Sequence, residues 1–205
     1  MRSDISVIAW DFDGVLNRNI VGGRFVWADK LEDDLGIALD AFERGVFDAS
    51  FADVISGKQD IKCHLQDWLD RSGYHALDAG AVLDYWFAKD DLKDPFTCGL
   101  LRRLTAQGLV QVIATNNEER RANYIEHQAG FGALVSQVFS SGRIKSAKPE
   151  PSFFAHVSNA LMVAPSEILL IDDSATNVRT AKALGWKGFH FTDDTRAELV
   201  SFLGL

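Results

Sequence analysis

The run Ile5-Ser6-Val7-Ile8-Ala9-Trp10, followed directly by Asp11-Phe12-Asp13-Gly14-Val15, decides the fold. Ile and Val at this density, closed by a glycine, predict a central parallel strand covered on both faces. Two carboxylates then stand at its carboxyl end, where open α/β sheets hold ligands in the crevice beyond the strand tips. Alternate residues of an extended chain point the same way, so Asp11 and Asp13 face one site if the extension persists through Phe12. Gly14 lets the chain turn away. Two close carboxylates repel at neutral pH unless a cation lies between them or one holds a proton. Hard oxygen ligands on few side chains suit Mg²⁺. The same five residues also fit an acidic strand-to-loop turn, because Asp and Gly are common turn residues. Alone they do not choose between the two.

Outward from this strand the pattern changes twice. Leu16 to Val26, with Gly22-Gly23, reads as a loop or short hairpin. From about Trp27 to Asp91 apolar residues recur at helical spacing: Leu31, Leu35, Leu39; Phe47, Phe51, Ile55; Ile61, Leu65, Trp68, Leu69; Leu83, Trp86, Phe87. Gly36, Gly57 and Ser72-Gly73 punctuate them, which predicts about four helices and no strand. After Phe96 helix and strand alternate. Leu100 to Leu104 with Gly108 predicts a helix and its cap, Leu109–Ala114 a second buried strand, and Glu118–Gly130 a helix. Val135–Ser140 reads as a short strand, Phe153–Val163 as a helix and Ile168–Ile171 as a third dense strand. Ala175–Leu184 is then helical, and Gly188–Phe191 is a last strand. Strands separated by helices imply right-handed crossovers and a mainly parallel three-layer αβα sandwich of Rossmann type. The expected division is an α/β core of residues 1–16 and 93–205 with a small all-helical cap of residues 17–92.

The polar residues at the strand ends can now be compared. The second strand ends in Thr115-Asn116-Asn117 ahead of a helix carrying Glu118 and Glu119, an anion cradle or, equally, a helix cap by Thr115 or Asn116. The third dense strand ends in Asp172-Asp173-Ser174. One acid there can cap the next helix, but that does not account for two dense strands both ending in paired acids. Between them, Lys148-Pro149-Glu150-Pro151 presents Lys148 from a loop stiffened by two prolines. A cation so placed can pair with the carboxylates and with a transferring phosphoryl group.

Composition narrows the class. A chain of 205 residues is one globular unit or a domain with an insert, and can bury roughly 70% of its unfolded surface without staples. A formal net charge of −8 argues against a nucleic-acid or anionic-membrane surface, and no protein partner is evident. Cys63 and Cys98 lack zinc-ligand spacing and read as reduced thiols. Met1-Arg2-Ser3-Asp4 leads straight into the strand without a leader pattern, and no apolar run reaches about 18 residues, so the expectation is a cytoplasmic protein.

Taken in order, DFDGV at 11–15, ATNN at 114–117, the lysine of AKPEP at 147–151 and IDDSATN at 171–177 resemble the haloacid dehalogenase superfamily. The resemblance implies a Rossmann-like core with a helical cap inserted after the first motif. Asp11 would be a nucleophile that becomes an aspartyl phosphate, and Asp13 the acid that protonates the leaving oxygen and then the base that activates water. Thr115, with backbone N–H groups near Asn116, would bind the phosphoryl oxygens, and Lys148 would steady the phosphoryl charge and Asp11. Mg²⁺ would be held by Asp11, the main-chain carbonyl of Asp13 and Asp172, with Asp173 behind them as a partner to Lys148 and Asn177 matching the final motif.

Asp13 sets the subclass that the resemblance implies. The dehalogenases of this superfamily need no metal and lack that second aspartate, because halide needs no proton to leave. The expected function is therefore a Mg²⁺-dependent phosphatase acting on a small phosphorylated metabolite such as a sugar phosphate. A sugar phosphomutase, a 2-haloacid dehalogenase and a non-catalytic phosphometabolite-binding protein are the alternatives. A receiver domain is set aside, since its acceptor lies on a later strand and no large helical insert follows its first. Trp27, His64, Trp68 and Trp86 of the insert are candidates to face the substrate, although helical spacing explains each as core.

Overall fold

A computed structural model of the chain describes residues 4–205. The leaderless start inferred from the sequence rests in part on residues 1–3, which lie outside the described residues.

Strand β1, Val7–Trp10, is fully buried and central. It pairs in parallel with β4, Val110–Thr115, on one side and with β6, Ile168–Asp172, on the other. Beyond these lie β5, Gln137–Ser140, and β7, Lys187–His190, giving the all-parallel order β5-β4-β1-β6-β7. The two-residue side-chain period divides the core between two faces. Val7 and Ala9 pack with Val112, Ala114, Ile168 and Leu170 beneath helices α9, Pro151–Leu161, and α10, Ala175–Ala183. Ile8 and Trp10 pack with Ile113, Leu169 and Ile171 beneath α6, Pro95–Ala106, α7, Glu119–His127, and α11, Arg196–Leu203. Asp94 opens α6 by accepting from the Phe96 and Thr97 N–H groups, with Pro95 in the first turn. This is the expected three-layer αβα sandwich. The strand runs in the sequence slightly overstate some strands at their ends, and α8, Ser141–Ile144, and α11 were not foreseen.

Between β1 and α6 the chain makes the predicted hairpin, β2, Ile20–Val21, and β3, Arg24–Phe25, turning at Gly22-Gly23. A 3-10 turn at Val26–Lys30 and five helices follow: α1, Leu31–Leu35; α2, Leu39–Val46; α3, Phe51–Ile55; α4, Ile61–Arg71; α5, Ala79–Lys89. They share one cluster centred on Phe42, whose ring meets Trp27, Phe47, Trp68 and Trp86 edge-on. Asn17 ties the way out to the way back. Its amide donates to the Asp90 carbonyl at 2.6 Å, and its carbonyl accepts the Leu92 N–H at 2.7 Å. No described helix is long and apolar enough to cross a membrane.

Candidate active site

The sheet brings the polar strand ends to one place. The Asp11 N–H donates to the Ile171 carbonyl at 2.8 Å, which sets Asp11 level with the end of β6. Asp172 ends β6 on the face of Ile168 and Leu170 and is wholly buried. Lys148 reaches in between them with a buried side chain, its Nζ 2.6 Å from Asp172 Oδ2 and 3.0 Å from Asp11 Oδ2. Asn116 positions that lysine from behind. Its Nδ2 donates to the Lys148 carbonyl at 2.7 Å, and its Oδ1 accepts the Lys148 N–H at 2.8 Å. The Asn116 side chain is therefore spent on the loop, leaving the backbone of this turn to meet a ligand.

The adjacent acids differ from the order expected. Asp172, not Asp173, is the partner of Lys148, because successive strand residues point to opposite faces. Asp172 also accepts from Asn177 Nδ2 at 3.0 and 3.2 Å and from the Ser174 N–H at 2.9 Å, so its four contacts fill a carboxylate's acceptor sites. Among the described residues no side chain donates a hydrogen bond to the Asp173 carboxylate, which lies half-buried against Gly14, while the His190 ring meets the Asp173 main-chain carbonyl at 2.9 Å. Gly14 has φ of +76°, and a Cβ there would lie 2.9 Å from the Asp173 carboxyl carbon, so both the turn and the close approach require glycine.

Carboxylate oxygens of Asp11, Asp172 and Asp173 lie within 4.8 Å of one another. Burial, then the Asp172 charge, hold the Asp11 carboxyl well above the usual range despite Lys148. Burial and the same Asp172 charge push Asp173 up to about 6. Burial pulls the Lys148 ammonium down, but Asp11 and Asp172 together outweigh it and hold it above the ordinary value. Three crowded acids against one lysine leave an excess of negative charge that a divalent cation with oxygen preference would relieve, and the set fits Mg²⁺ on those grounds.

Asp13 stands apart, in a cradle that the sequence did not disclose. Its Oδ1 accepts from Asn19 Nδ2 at 2.8 Å and Asn17 Nδ2 at 3.2 Å, and its Oδ2 from Asn117 Nδ2 at 2.9 Å. Asn117 also donates to the buried Thr115 hydroxyl at 2.7 Å. The Arg121 guanidinium, 4.0 Å from Asp13, donates to Asp90 Oδ2 at 2.7 Å and to the Phe87 carbonyl at 3.2 Å. Burial and then the Asp13 charge push the Asp90 carboxyl up to about 7 against the pull of Arg121. The only sequence signal for the cradle was a cluster of asparagines after strands, at Asn17, Asn19 and Asn117. The helix cap considered for Thr115 or Asn116 is instead Glu118, whose carboxylate accepts the Arg120 and Arg121 N–H groups.

A cavity of about 330 Å³ opens from Asp13 toward the inserted helices. Asn116, Asn117 and Glu118 line its floor, and Phe47, Phe51 and Trp86 its far wall. Of the four insert candidates only Trp86 borders it. Trp27 stacks on Trp86 at 4.8 Å, Trp68 packs on Phe42, and the buried His64 ring bonds the Val46 carbonyl at 2.8 Å.

The site can be set beside known proteins. Residues 5–185 match the family model described as haloacid dehalogenase-like hydrolase. The chain is 31% identical over 128 residues to flavin mononucleotide hydrolase 1 of Arabidopsis thaliana, covering 58% of this chain and 52% of the relative. It is 30% identical over 107 residues to a sesquiterpene phosphatase of Aspergillus oryzae, covering 51% and 55%. The matches thus span about half the length of these curated relatives. A haloacid dehalogenase-like family enzyme from Bacteroides thetaiotaomicron, solved with magnesium and inorganic phosphate, shares the fold with TM-score 0.71 at 20% identity, over 92% of this chain and 94% of that one.

Proposed function

The chain belongs to the haloacid dehalogenase-like hydrolase family, and within it we propose that it is a Mg²⁺-dependent phosphatase that hydrolyses a phosphate monoester through an aspartyl phosphate. Asp13 carries the reading. A second carboxylate two residues after Asp11, held by three amides at the mouth of the cavity, is what an alcohol leaving group requires and a halide does not. The named relatives support phosphatase chemistry without fixing the substrate, since flavin mononucleotide and a sesquiterpene are unlike.

The proposed roles follow the geometry. The Asp11 carboxylate attacks phosphorus in line, and the bond from phosphorus to the ester oxygen breaks. Asp13 gives its proton to that oxygen as the alcohol leaves, a transfer typically worth ~10²–10⁴-fold. In the second half Asp13 takes a proton from water, whose oxygen attacks phosphorus and releases inorganic phosphate and free Asp11. Lys148, locked by Asn116 and Asp172, faces the phosphoryl oxygens together with the Thr115 hydroxyl and the backbone N–H groups of the following turn. Mg²⁺ held by Asp11, the Asp13 carbonyl and the open Asp173 would neutralise charge on the transferring group. Asp172 then serves as the anchor of Lys148 and Asn177, and its carboxylate stays within 4.8 Å of those of Asp11 and Asp173, beside the metal position it was expected to share. We read residues 17–92 as the cap that closes this site. Two free cysteines in an acidic chain suit a cytoplasmic setting.

Phosphate release from a panel of monoesters, with Mg²⁺ and with EDTA, tests the proposal. Metal-dependent release lost in Asp11→Asn and Asp13→Asn is the expected result. Metal-independent release of halide from 2-haloacids would overturn it.

A further inference from the structure

The cavity beside Asp13 has an uneven chemistry. Its cap side is built from Phe47, Phe51 and Trp86, which meet edge-on at 4.9 and 5.5 Å, with Ile55 and Ile61 beside them. Its polar groups gather toward the core end, and several are already engaged. Asn116 holds the Lys148 backbone, Asn117 holds Asp13 and Thr115, Glu118 caps its helix, and Arg121 is paired with Asp90. The Trp86 indole N–H is buried away from the cavity and has no acceptor among the described residues, so these cap-side side chains offer a ligand only carbon surface. A polyol seated against these rings would bury several hydroxyls on carbon that has no partner for them. Sites reject ligands strongly when buried polar groups are left without partners.

Resting on the phosphatase reading, we infer that the leaving group is a compact apolar alcohol, ring-bearing or branched, and not a sugar. The phosphoryl group sits among Lys148, Thr115 and the acids, and the hydrocarbon lies against the aromatic wall of the insert. A cavity of about 330 Å³ is at the small end of ligand sites and admits a leaving group of about ten non-hydrogen atoms, at the ~30 Å³ that one water occupies in the liquid. The substrate class is therefore amphiphilic, with charge at one end and a mainly apolar body at the other.

The test compares two esters of primary alcohols that share a six-membered ring bearing a CH2–O–phosphate, cyclohexylmethyl phosphate and glucose 6-phosphate, so that intrinsic reactivity does not decide. The expected result is kcat/KM at least about tenfold higher for the cyclohexylmethyl ester, carried mainly by KM, since one methylene in an apolar pocket is already worth about that factor. Phe51→Ser should bring the ratio toward one. The wild-type comparison stands by itself if that variant does not fold. Calorimetric binding of cyclohexylmethyl phosphonate adds a readout independent of turnover, and the expected heat-capacity change is negative. Equal or better turnover of glucose 6-phosphate overturns the apolar leaving group and leaves the phosphatase intact. No phosphate from either ester or from p-nitrophenyl phosphate overturns the phosphatase reading. The phosphonate then decides the cleft separately: binding with a negative heat-capacity change upholds its apolar preference, and no binding ends it.

Discussion

Replacing Arg121 by methionine isolates the buried pair behind Asp13. Both partners have side chains only 4% exposed, and the guanidinium also caps the Phe87 carbonyl and lies over the rings of Phe12, Phe87 and Tyr124. Methionine keeps much of the stem packing and removes the charge. Breaking a buried pair from one side costs about 3–5 kcal/mol, because the remaining ion is left in the interior. For a chain of this length that is a fall in Tm of about 6–20 °C at ~2–4 °C per kcal/mol. The pH dependence identifies the cause. The Asp90 carboxyl is raised from 3.8 to about 7 by burial and then by Asp13, so the folded state holds its proton more tightly than the unfolded chain does. That carboxyl's contribution therefore declines as pH rises through the window from about 4 to about 7 and is level above it. Without Arg121 the decline continues to higher pH. The deficit of Arg121→Met should be large at pH 8 and shrink at pH 5.5 to the loss of neutral hydrogen bonds, about 1–2 kcal/mol. Adding Asp90→Asn to Arg121→Met should restore part of the loss at pH 8. Urea unfolding at both pH values measures all of this. A deficit below about 1 kcal/mol, an equal deficit at both pH values, or no recovery in the double variant would refute the reasoning.

The other predictions concern the Lys148 loop and two close approaches. Asn116→Ala removes both bonds to the Lys148 backbone, so it should cost about 2 kcal/mol in urea unfolding and lower kcat more than it raises KM. Gly14→Ala places a methyl against Asp173 at a φ of +76°, and the Mg²⁺ concentration for half-maximal phosphate release should rise at least about tenfold. An unchanged titration would show that Asp173 is not a ligand. Gly142→Ala puts a Cβ 2.8 Å from the Glu118 Cα and 2.9 Å from the Glu119 nitrogen, both backbone atoms, and should lower stability by about 1–3 kcal/mol in thermal melts.

The fold was legible wherever burial writes a dense pattern. Ile5 to Trp10, Leu109 to Ala114 and Ile168 to Ile171 each read as a covered strand because both faces are buried, and the residues after them mark the crevice. Ser141–Ile144 is too short to show a helical period, and Arg196–Leu203 fully buries only Leu199 and Leu203, so neither stood out. Within the site, sequence placed Asp11, Asp13, Thr115 and Asp172 at strand ends and Lys148 on a stiff loop, but could not say which of two adjacent acids faces the lysine. The Asp13 cradle was illegible for another reason. Asn19 and Asp90 are separated by 71 positions, and Asp13 and Asn117 by 104, so nothing periodic connects them. Trp86 shows the limit of helical spacing as evidence, since a residue can pack in a core on one side and line a cavity on the other.

The clasp at Asn17 bears on how such a protein can change. The Asn17 amide, with backbone bonds from Arg18 to Leu92 and from Asp94 to Leu16, holds the outgoing and returning chain together, so everything between Arg18 and Asp90 hangs from a single narrow neck. An element whose ends already meet can be transplanted, enlarged or replaced by a different one without moving a strand, as insertions at closely spaced ends generally are. Arg121, Arg120, Ser141 and Lys145, each bonded to the insert, would notice the exchange. On the proposed reading the choice of alcohol can then diversify faster than the sheet that carries the acids, with Asn19 the insert residue that must stay to hold Asp13.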